Sequence, residues 1–253
     1  MSSRFRGYLP VVIDVETAGF SPRENALLEI GAYPLIFDAD GLLRPGELLH
    51  YKIRPFEGAK INEKSCQFIH IDPFDPTREA EDERTAIRDL CKKVSARVKA
   101  EGCSRAIIVA HNAHFDHSFI SAAVDRANYK RSPFHPFSSF DTATLSGIFF
   151  GQTVLANACR KAGVVYDQQQ AHGAAYDAAV TAELFCFIVN RYGDLLRLWN
   201  ENYPEQAMTT ESEAEDQAGL PNSDNAASGQ NDPKKAEEDP NTVNPQICAE
   251  TQN

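Results

Sequence analysis

The chain has 253 residues, 42% of them hydrophobic and 24% charged, and 36 acidic residues against 25 basic ones give a formal net charge of −11. No apolar run is long enough to cross a bilayer and no secretory leader is recognisable, so we expect a cytoplasmic protein without membrane contact. The six cysteines form no CxxC pair. This argues against a zinc site or a disulfide framework and favours reduced thiols.

The acidic excess is concentrated at the C-terminus. Residues 201–253 contain 12 Asp and Glu but 2 Lys and Arg, so residues 1–200 are almost neutral. The segment 203–253 is also poor in apolar residues and lacks periodicity, and such a segment cannot bury enough surface to offset its ordering entropy. We therefore predict a folded domain at 4–202 and a disordered acidic tail at 203–253. Because the negative net charge belongs mostly to the tail, it does not exclude a nucleic-acid partner for the folded domain.

The first part of the domain reads as three consecutive strands. Apolar and β-branched residues dominate 8–16, 27–37 and 47–55, and turn-forming residues separate these runs. Short connections of this kind predict an antiparallel meander.

Helical periodicity dominates the rest of the domain. Ile87, Leu90, Cys91, Val94 and Val98 recur at helical spacing, for example. A helix of about twenty residues follows the Pro-containing stretch 69–79. The next predicted elements are a buried strand at 105–111, a helix at 115–129 and a strand leading into a helix at 137–151, with Asp141 or Thr142 as the N-cap of that helix. Two further helices are predicted, at 152–162 and from 174. Strands followed by alternating strands and helices predict an α/β fold with a mixed sheet flanked by helices.

Two carboxylates end the first predicted strand. Asp14 and Glu16 are two residues apart, so in a strand they point to the same face. Two neighbouring anions repel each other unless a cation lies between them. The residues are therefore either solvated acids at a strand end or part of a divalent-metal site, and the D-x-E spacing alone is too common to decide.

The pattern H-x-x-x-x-D occurs three times, in different contexts. His70–Asp75 lies in the Pro-containing loop, and we interpret it as loop polarity. His111–Asp116 spans the end of a buried strand and the first turn of the next helix. His172–Asp177 spans a Gly-containing loop and the first turn of the most amphipathic helix. An acid in the first turn of a helix also stabilises that helix by about 0.3–1 kcal/mol through the helix dipole. Asp116 and Asp177 could therefore have this structural role instead of belonging to a functional site.

The positions of these acids predict that they meet. Strand C-terminal ends and helix N-termini converge at one edge of an α/β sheet, where ligands usually bind. Four acids gathered there need a cation, and hard oxygen ligands favour Mg²⁺ or Mn²⁺. Two Mg²⁺ ions about 3.5–4 Å apart can hold both oxygens of an in-line phosphoryl displacement. His172 is then the candidate general base, the alternative being a solvated loop histidine.

The three motifs IDVETAG (13–19), HNAHFD (111–116) and HGAAYD (172–177) resemble those of the DEDDh family of 3′→5′ exonucleases. The similarity extends over most of residues 4–193. It implies an RNase H-like fold in which four carboxylates bind the metals and a histidine is the base. At the matching positions these are Asp14, Glu16, Asp116, Asp177 and His172.

The resemblance also implies a way of holding substrate. RNA-trimming members of the family sandwich terminal bases between phenylalanines, and the matching residues here are Phe20, Phe68, Phe115 and Phe137. Phe20 follows the D-x-E turn and Phe115 precedes Asp116, so the sequence itself places these two near the site. The alternative for each of the four phenylalanines is a structural role in the core. An acidic position that contacts the terminal base in such members is Lys64 here, which leaves the base preference open.

The resemblance further implies a homodimer in which each protomer lends a basic patch to the other's active site. On sequence alone each basic residue at the matching positions could be a solvated surface charge. A near-neutral domain that binds a polyanion does, however, need a local positive patch. The matching positions are Arg4, Arg6, Lys99, Arg105 and Lys130.

The expected function is a Mg²⁺-dependent 3′→5′ exoribonuclease that trims single-stranded 3′ ends of tRNA and other small stable RNAs and also cuts single-stranded DNA. One alternative is a DNA proofreading or repair exonuclease of the same family, which a mismatched DNA primer would reveal. The other is an inactive nucleic-acid-binding module, against which stands the presence of all five catalytic residue types.

Overall fold

A computed structural model of the chain describes residue 1 and residues 4–202. The predicted acidic tail, 203–253, lies outside the described residues, and the domain boundary at 202 stays a prediction.

The sheet is built around a long hairpin. Strand β1 (Tyr8–Thr17) pairs antiparallel with β2 (Leu27–Phe37). Parallel strands β5 (Arg105–Ala110) and β6 (Phe134–Asp141) extend the sheet on the other side of β1. The strand order β2-β1-β5-β6 therefore mixes both orientations, which confirms the predicted mixed sheet.

The third predicted strand, 47–55, is wrong in its boundaries. Instead, β3 (Leu43–Pro45) ends before this range and β4 (Leu49–Lys52) occupies four residues of it, with a break between the two strands. Both strands pair with β2. Pro45 and Gly46 explain the break, because Pro lacks the N–H that continues a ladder and a Cβ on Gly46 would lie 2.4 Å from the carbonyl oxygen of Pro34.

The described residues form six α-helices, and the long ones match the predicted periodicity. Their bounds are α1 (Glu63–Phe68), α2 (Glu83–Ala100), α3 (His114–Arg126), α4 (Thr142–Phe150), α5 (Leu155–Ala162) and α6 (Ala174–Asn202). Asp141 caps α4 as expected, since its carboxylate accepts from the backbone of Ala143 and Thr144. Short α1 and a 3₁₀ helix, Pro76–Arg78, were not predicted. Within the described chain, none of the helices combines the length and the apolar character that a membrane span requires.

The two faces of β1 enter different parts of the core. Its odd-numbered residues, such as Val11 and Ile13, are buried in the cluster formed with α2 and α3. Val12 faces the other way, into a cluster with Ala182 and Phe185 of α6. Burying a Val, Leu, Ile or Phe side chain contributes roughly 1.5–3 kcal/mol, so this alternation fixes the register of β1. Even-numbered residues of β1 therefore face α6.

Candidate active site

Asp14 and Glu16 lie on the α6 side of β1. They continue the face of Val12, at the end of the strand where the apolar sequence stops. Glu16 is buried, with 7% of its surface exposed, and Asp14 is half-buried. The strand therefore holds two carboxylates side by side in poorly solvated surroundings, as the i, i+2 spacing predicts.

A close approach of α6 to the sheet brings a third carboxylate to this pair. Gly31 of β2 is the cross-strand partner of Asp14. A Cβ atom on Gly31 would lie 2.2 Å from the carbonyl oxygen of Ala174, so only glycine lets the first turn of α6 rest there. Asp177 stands in that turn. As a result, one carboxylate oxygen each from Asp14, Glu16 and Asp177 lie within 4.8 Å of one another.

The fourth acid reaches the cluster from α3. Asp116 stands in the first turn of that helix and is 4% exposed. Its Oδ1 accepts a hydrogen bond of 3.1 Å from the backbone N–H of Val15, the residue between the two strand acids. Asp116 also raises the pKa of Asp14 by charge repulsion. The structure thus brings together all four carboxylates that the motifs single out.

The electrostatics of the cluster are those of a cation site. Burial, and then repulsion from Asp116, Glu16 and Asp177, raises the pKa of Asp14 well above its ordinary value. Burial and the neighbouring acids raise the pKa of Glu16 to about 8. Burial likewise raises the pKa of Asp177, whose Oδ1 has no hydrogen-bond partner among the described residues. A buried acceptor without a donor is costly, and a divalent cation would satisfy it. The residues present therefore fit a hard metal ion.

His172 lies at the solvent side of the cluster. Its backbone N–H donates to Asp177 Oδ2 at 2.9 Å, and its φ of 66° turns the chain sharply before α6. The imidazole is exposed and its centroid is 4.4 Å from that of the Phe68 ring. The side chain of the predicted base is thus at the solvent-exposed entrance of the site, in direct contact with Phe68, which is predicted to bind substrate.

The four phenylalanines fall into three places. The rings of Phe20 and Phe115 meet edge to face with their centroids 6.3 Å apart, and the Phe68 ring contacts the His172 ring at a tilt. Phe20, Phe68 and Phe137 expose 81%, 60% and 76% of their surface, whereas Phe115 is half-buried against the core. Phe137 contacts His135, with centroids 4.7 Å apart, and makes no ring contact with the other three among the described residues.

The five predicted basic residues lie at the opposite end of the sheet. Arg105 begins β5 and pairs with Tyr8 at the start of β1. Arg6 and Arg105 both act electrostatically on His135. Tyr8 is six residues before Asp14, which corresponds to about 20 Å of strand. Arg4 donates to the carbonyl oxygen of Val189 in α6 at 3.1 Å.

Lys99 and Lys130 are exposed near the same end. Ser104, in the turn after α2, donates its backbone N–H to Gly7, and Ala106 donates to Pro133, which follows Lys130 closely in the chain. These basic residues therefore lie near the start of the parallel strands, away from the acids of their own chain.

Two features of the site were not predicted from sequence. Glu29 of β2 pairs with Glu16 across the strands and raises the pKa of both Asp14 and Glu16. A ring nitrogen of His50 lies 2.5 Å from Glu29 Oε1 and partners this extra carboxylate. The hairpin register would have revealed the Glu16–Glu29 pair.

Asp75 has the structural role expected for it, since it caps the 3₁₀ helix by accepting from Thr77.

Comparison with known proteins places this geometry in a family. The RNase_T family model, described as an exonuclease, matches residues 11–185. Ribonuclease T of Photobacterium profundum is 55% identical over 196 residues, covering 77% of this chain and 88% of that protein. Ribonuclease T of Vibrio cholerae is 56% identical over 193 residues, covering 76% of this chain and 86% of that protein.

Solved structures share the fold at low sequence identity. E. coli exonuclease I in complex with a dT13 oligonucleotide superposes with a TM-score of 0.58 at 15% identity, covering 76% of this chain and 43% of that chain. The zinc-bound form of E. coli exonuclease I with single-stranded DNA gives a TM-score of 0.55 at 17% identity, covering 76% and 42%. The chain thus spans less than half of exonuclease I, and the likeness concerns the fold alone. From the matches to its curated relatives and to the family model, the chain belongs to the ribonuclease T family of exonucleases.

Proposed function

We propose that this 3′→5′ exonuclease removes nucleotides from the single-stranded 3′ ends of tRNA and other small stable RNAs and releases 5′-nucleotides. The observation that carries the proposal is the union of two features at one edge of the sheet. Four carboxylates that need a cation stand there, and exposed aromatic rings next to them can take unstacked bases.

We propose Mg²⁺ as the metal, two ions per site, with Mn²⁺ as the alternative. Asp14, Glu16, Asp116 and Asp177 would hold them. Two such ions supply charge stabilisation to the attacking and leaving oxygens of a phosphoryl displacement. The protein contributes fixed ligands, because β1 and the first turns of α3 and α6 anchor all four carboxylates. Their mutual repulsion is relieved when cations bind, which favours loading of the site.

His172 is the proposed general base. Its imidazole accepts the proton of the attacking water, while its backbone N–H holds Asp177 in place. The side chain is exposed, so it can exchange that proton with solvent between turnovers.

The exposed rings are the proposed substrate clamp. A base between Phe20 and Phe115, or against Phe68, would gain about 1–3 kcal/mol from stacking whatever its identity. A paired base in a stem cannot enter, so a duplex should stop the enzyme. Lys64 stands in the first turn of α1, one turn before Phe68 and on the same face, where it can influence which terminal base is preferred.

Removing one ring should weaken substrate binding without disturbing the metal site. We expect Phe20→Ala to raise KM for a 3′-extended RNA by roughly tenfold, the equivalent of one stacked base, with a much smaller change in kcat. Steady-state kinetics on a fluorescent 3′ overhang would measure both.

Phe149→Ala is the matched control for that experiment. Phe149 is also exposed, and its ring contacts Tyr192, which lies about 22 Å along α6 from Asp177. If the Phe20 and Phe149 variants had the same KM, Phe20 would not belong to the clamp.

Single-stranded DNA is a second expected substrate, since stacking and phosphate binding do not require a 2′-hydroxyl. A panel of 3′-extended tRNA, single-stranded DNA and a mismatched DNA primer, with Mg²⁺ or with EDTA, tests the proposal. We expect Mg²⁺-dependent trimming that is fastest on the tRNA and stops at the stem. Preference for the mismatched primer would favour a repair exonuclease. Activity in Asp14→Ala would refute the site, and binding without cleavage by the unmodified protein would indicate an inactive module.

We propose that the enzyme is a homodimer in which the basic patch of one protomer serves the other protomer's site. The patch begins about 20 Å of strand away from Asp14, so it cannot hold RNA close to the scissile bond of its own chain. In a second copy it could hold the RNA body, while the clamp holds the 3′ end.

Mixing two inactive variants tests this arrangement. The triple variant Arg6→Ala, Arg105→Ala, Lys130→Ala and the variant Asp14→Ala should each be poorly active. Their mixture should regain activity, because a mixed dimer contains one intact carboxylate set facing one intact patch. A mixture no more active than its components, in the presence of mixed dimers by native mass spectrometry, would contradict a patch that acts across the dimer.

We also infer that the enzyme works in the cytoplasm. The five cysteines in the described part of the chain are all unpaired, and four of them are buried. Burial raises the pKa of Cys91, Cys159 and Cys186 to about 12, which keeps these thiols protonated and unreactive. Reduced core thiols are typical of that compartment.

A further inference from the structure

Arg126, in the last turn of α3, joins three other parts of the chain. Its Nε and Nη2 donate to the two carboxylate oxygens of Glu83, each at 2.8 Å. Its Nη1 donates to the carbonyl oxygen of Pro22 at 2.7 Å. The guanidinium also lies over the ring of Phe56, 4.2 Å from its centroid. The planar guanidinium makes all of these contacts at once from three separate nitrogens, whereas the single nitrogen of lysine could not reach them together.

Pro22 belongs to the loop that carries Phe20. This loop, 18–26, connects β1 to β2, and Phe20 exposes 81% of its surface. Gly19 adopts a φ of +149°, and a Cβ there would lie 2.5 Å from the side chain of Asn25, so the loop is tightly folded on itself. A ring as exposed as Phe20 gains little from burial. Its position therefore depends on what holds the loop.

The opposite side of the loop is tied to the segment that carries Phe68. Asn25 Nδ2 donates to the carbonyl oxygen of Lys60 at 3.0 Å, and the backbone of Lys60 donates to Glu24 at 2.7 Å. The backbone of Asn62, the N-cap of α1, donates to Ala18 at 2.8 Å. Arg126 adds an anchor from α3, through its hydrogen bond to Pro22.

The Arg126–Glu83 pair makes that anchor rigid. Glu83 is 5% exposed at the start of α2, and both its oxygens are engaged by Arg126. Bidentate, charge-assisted bonds of this kind fix the guanidinium in one plane, which aims Nη1 at Pro22. The helix that bears Arg126 also bears Phe115, so one side chain links the two halves of the Phe20–Phe115 gap.

We propose that Arg126 is a positioning residue that sets the spacing of Phe20 and Phe115 and thereby the fit of the substrate's terminal base. The inference deepens the proposed function, because it rests on those two rings forming a base clamp. The ring centroids of Phe20 and Phe115 are 6.3 Å apart, which is the separation of two aromatic rings in direct contact. A base can therefore enter between them only when the Phe20 loop moves away from α3. Arg126 keeps the loop tethered at Pro22 while it does so.

Arg126→Lys is the variant that tests the proposal. It retains a cation beside Glu83 but loses the bond to Pro22. We expect the Kd for an RNA with a 3′-terminal 2-aminopurine to rise roughly tenfold, the effect of losing one charge-assisted hydrogen bond. Quenching of the 2-aminopurine fluorescence on binding should weaken as well, while kcat at saturating RNA and Mg²⁺ affinity should remain within twofold.

Arg88→Lys is the matched control. Arg88 is an arginine of α2 that also donates to a backbone carbonyl, that of Ala127 at 3.2 Å, without touching the Phe20 loop. It should leave Kd and quenching unchanged. Should Arg126→Lys fail to fold, the double variant Glu83→Gln, Arg126→Gln removes both charges together and is measured in its place.

Phe20→Ala separates this inference from the function beneath it. If Phe20→Ala leaves Kd and quenching unchanged, the clamp itself is refuted. If Phe20→Ala weakens both but Arg126→Lys behaves like Arg88→Lys, the positioning role is refuted and the clamp stands. In the combined variant Phe20→Ala, Arg126→Lys we expect no further loss beyond Phe20→Ala, because Arg126 acts through that ring. If the Kd increases of the two single variants instead multiply in the combined variant, Arg126 acts on binding independently of Phe20, and the positioning role is refuted.

Discussion

Glu16→Gln is expected to lower nuclease activity on the order of 10³-fold and, at the same time, to raise the melting temperature of the metal-free protein. Losing one carboxylate from the metal site removes several kcal/mol of transition-state stabilisation, a rate loss on the order of 10³-fold. Without metal, however, Glu16 is a buried acid repelled by Asp177, Glu29 and Asp116. Gln has the same shape and no charge, so it relieves that repulsion. Activity and stability should therefore change in opposite directions.

The stability gain should depend on pH in a defined way. Glu16 has its pKa raised from 4.5 to about 8, so the folded protein binds the proton more tightly than the unfolded chain. Its favourable contribution is complete below pH 4.5 and is lost as the pH rises to about 8. The variant should accordingly exceed the unmodified protein in EDTA at pH 8 and match it at pH 4.5. In a domain of this size each kcal/mol corresponds to about 2–4 °C of Tm.

Differential scanning fluorimetry in EDTA and in Mg²⁺, at both pH values, measures this effect. Glu57→Gln, an exposed residue outside the site, is the control and should change neither Tm nor activity. Mg²⁺ should raise the Tm of the unmodified protein more at pH 8 than at pH 4.5. A Glu16→Gln protein that is less stable than the unmodified one in EDTA at pH 8 would show that this carboxylate is not in a repulsive cluster.

His172→Ala should lower kcat by about 10²–10⁴-fold, the usual contribution of a positioned general base. The backbone N–H of residue 172, which holds Asp177, remains in the variant. Mg²⁺ affinity measured by calorimetry should therefore stay within a few-fold, which distinguishes loss of the base from collapse of the site.

The control for that experiment is His70→Asn. His70 is an exposed loop histidine with a positive φ of 55°, a conformation that Asn tolerates, so the substitution removes an imidazole without straining the backbone. An unchanged kcat in His172→Ala would remove the base role, and a lost Mg²⁺ affinity would assign His172 to the metal site instead.

The larger elements of the fold could be predicted because their signals are local. In α2, the residues Leu90, Cys91 and Val94 repeat at helical spacing, and all are buried against the sheet. Asp141 is an N-cap that its residue type and position before α4 already indicate. The mixed α/β architecture follows from the order of such elements, and the structure confirms it.

Short elements were missed because their stability comes from elsewhere. Helix α1 has six residues and buries only Cys66, so it shows almost no periodicity. Its position depends on the bond from Asn62 to Ala18 in the distant β1–β2 loop. The break between β3 and β4 likewise depends on β2, which pairs with β4 at Glu29–Ala32 and with β3 at Leu35–Phe37.

The site was predictable as far as the motifs reach. Asp14, Glu16, Asp116 and Asp177 stand where strand ends and helix starts place them, and the geometry brings them together. The closeness of Phe68 to His172, and the link from Arg126 to Pro22, join residues roughly a hundred positions apart. No local pattern encodes such contacts, so only the folded chain reveals them.

The central claim is that four carboxylates from distant parts of the chain hold a pair of divalent ions. Its most direct test is a crystal structure of the protein with Mn²⁺, examined by anomalous diffraction at the manganese edge. We expect two peaks about 3.5–4 Å apart among the oxygens of Asp14, Glu16, Asp116 and Asp177. A map without peaks at this edge of the sheet, or with one of these carboxylates turned away from the ions, would contradict the account.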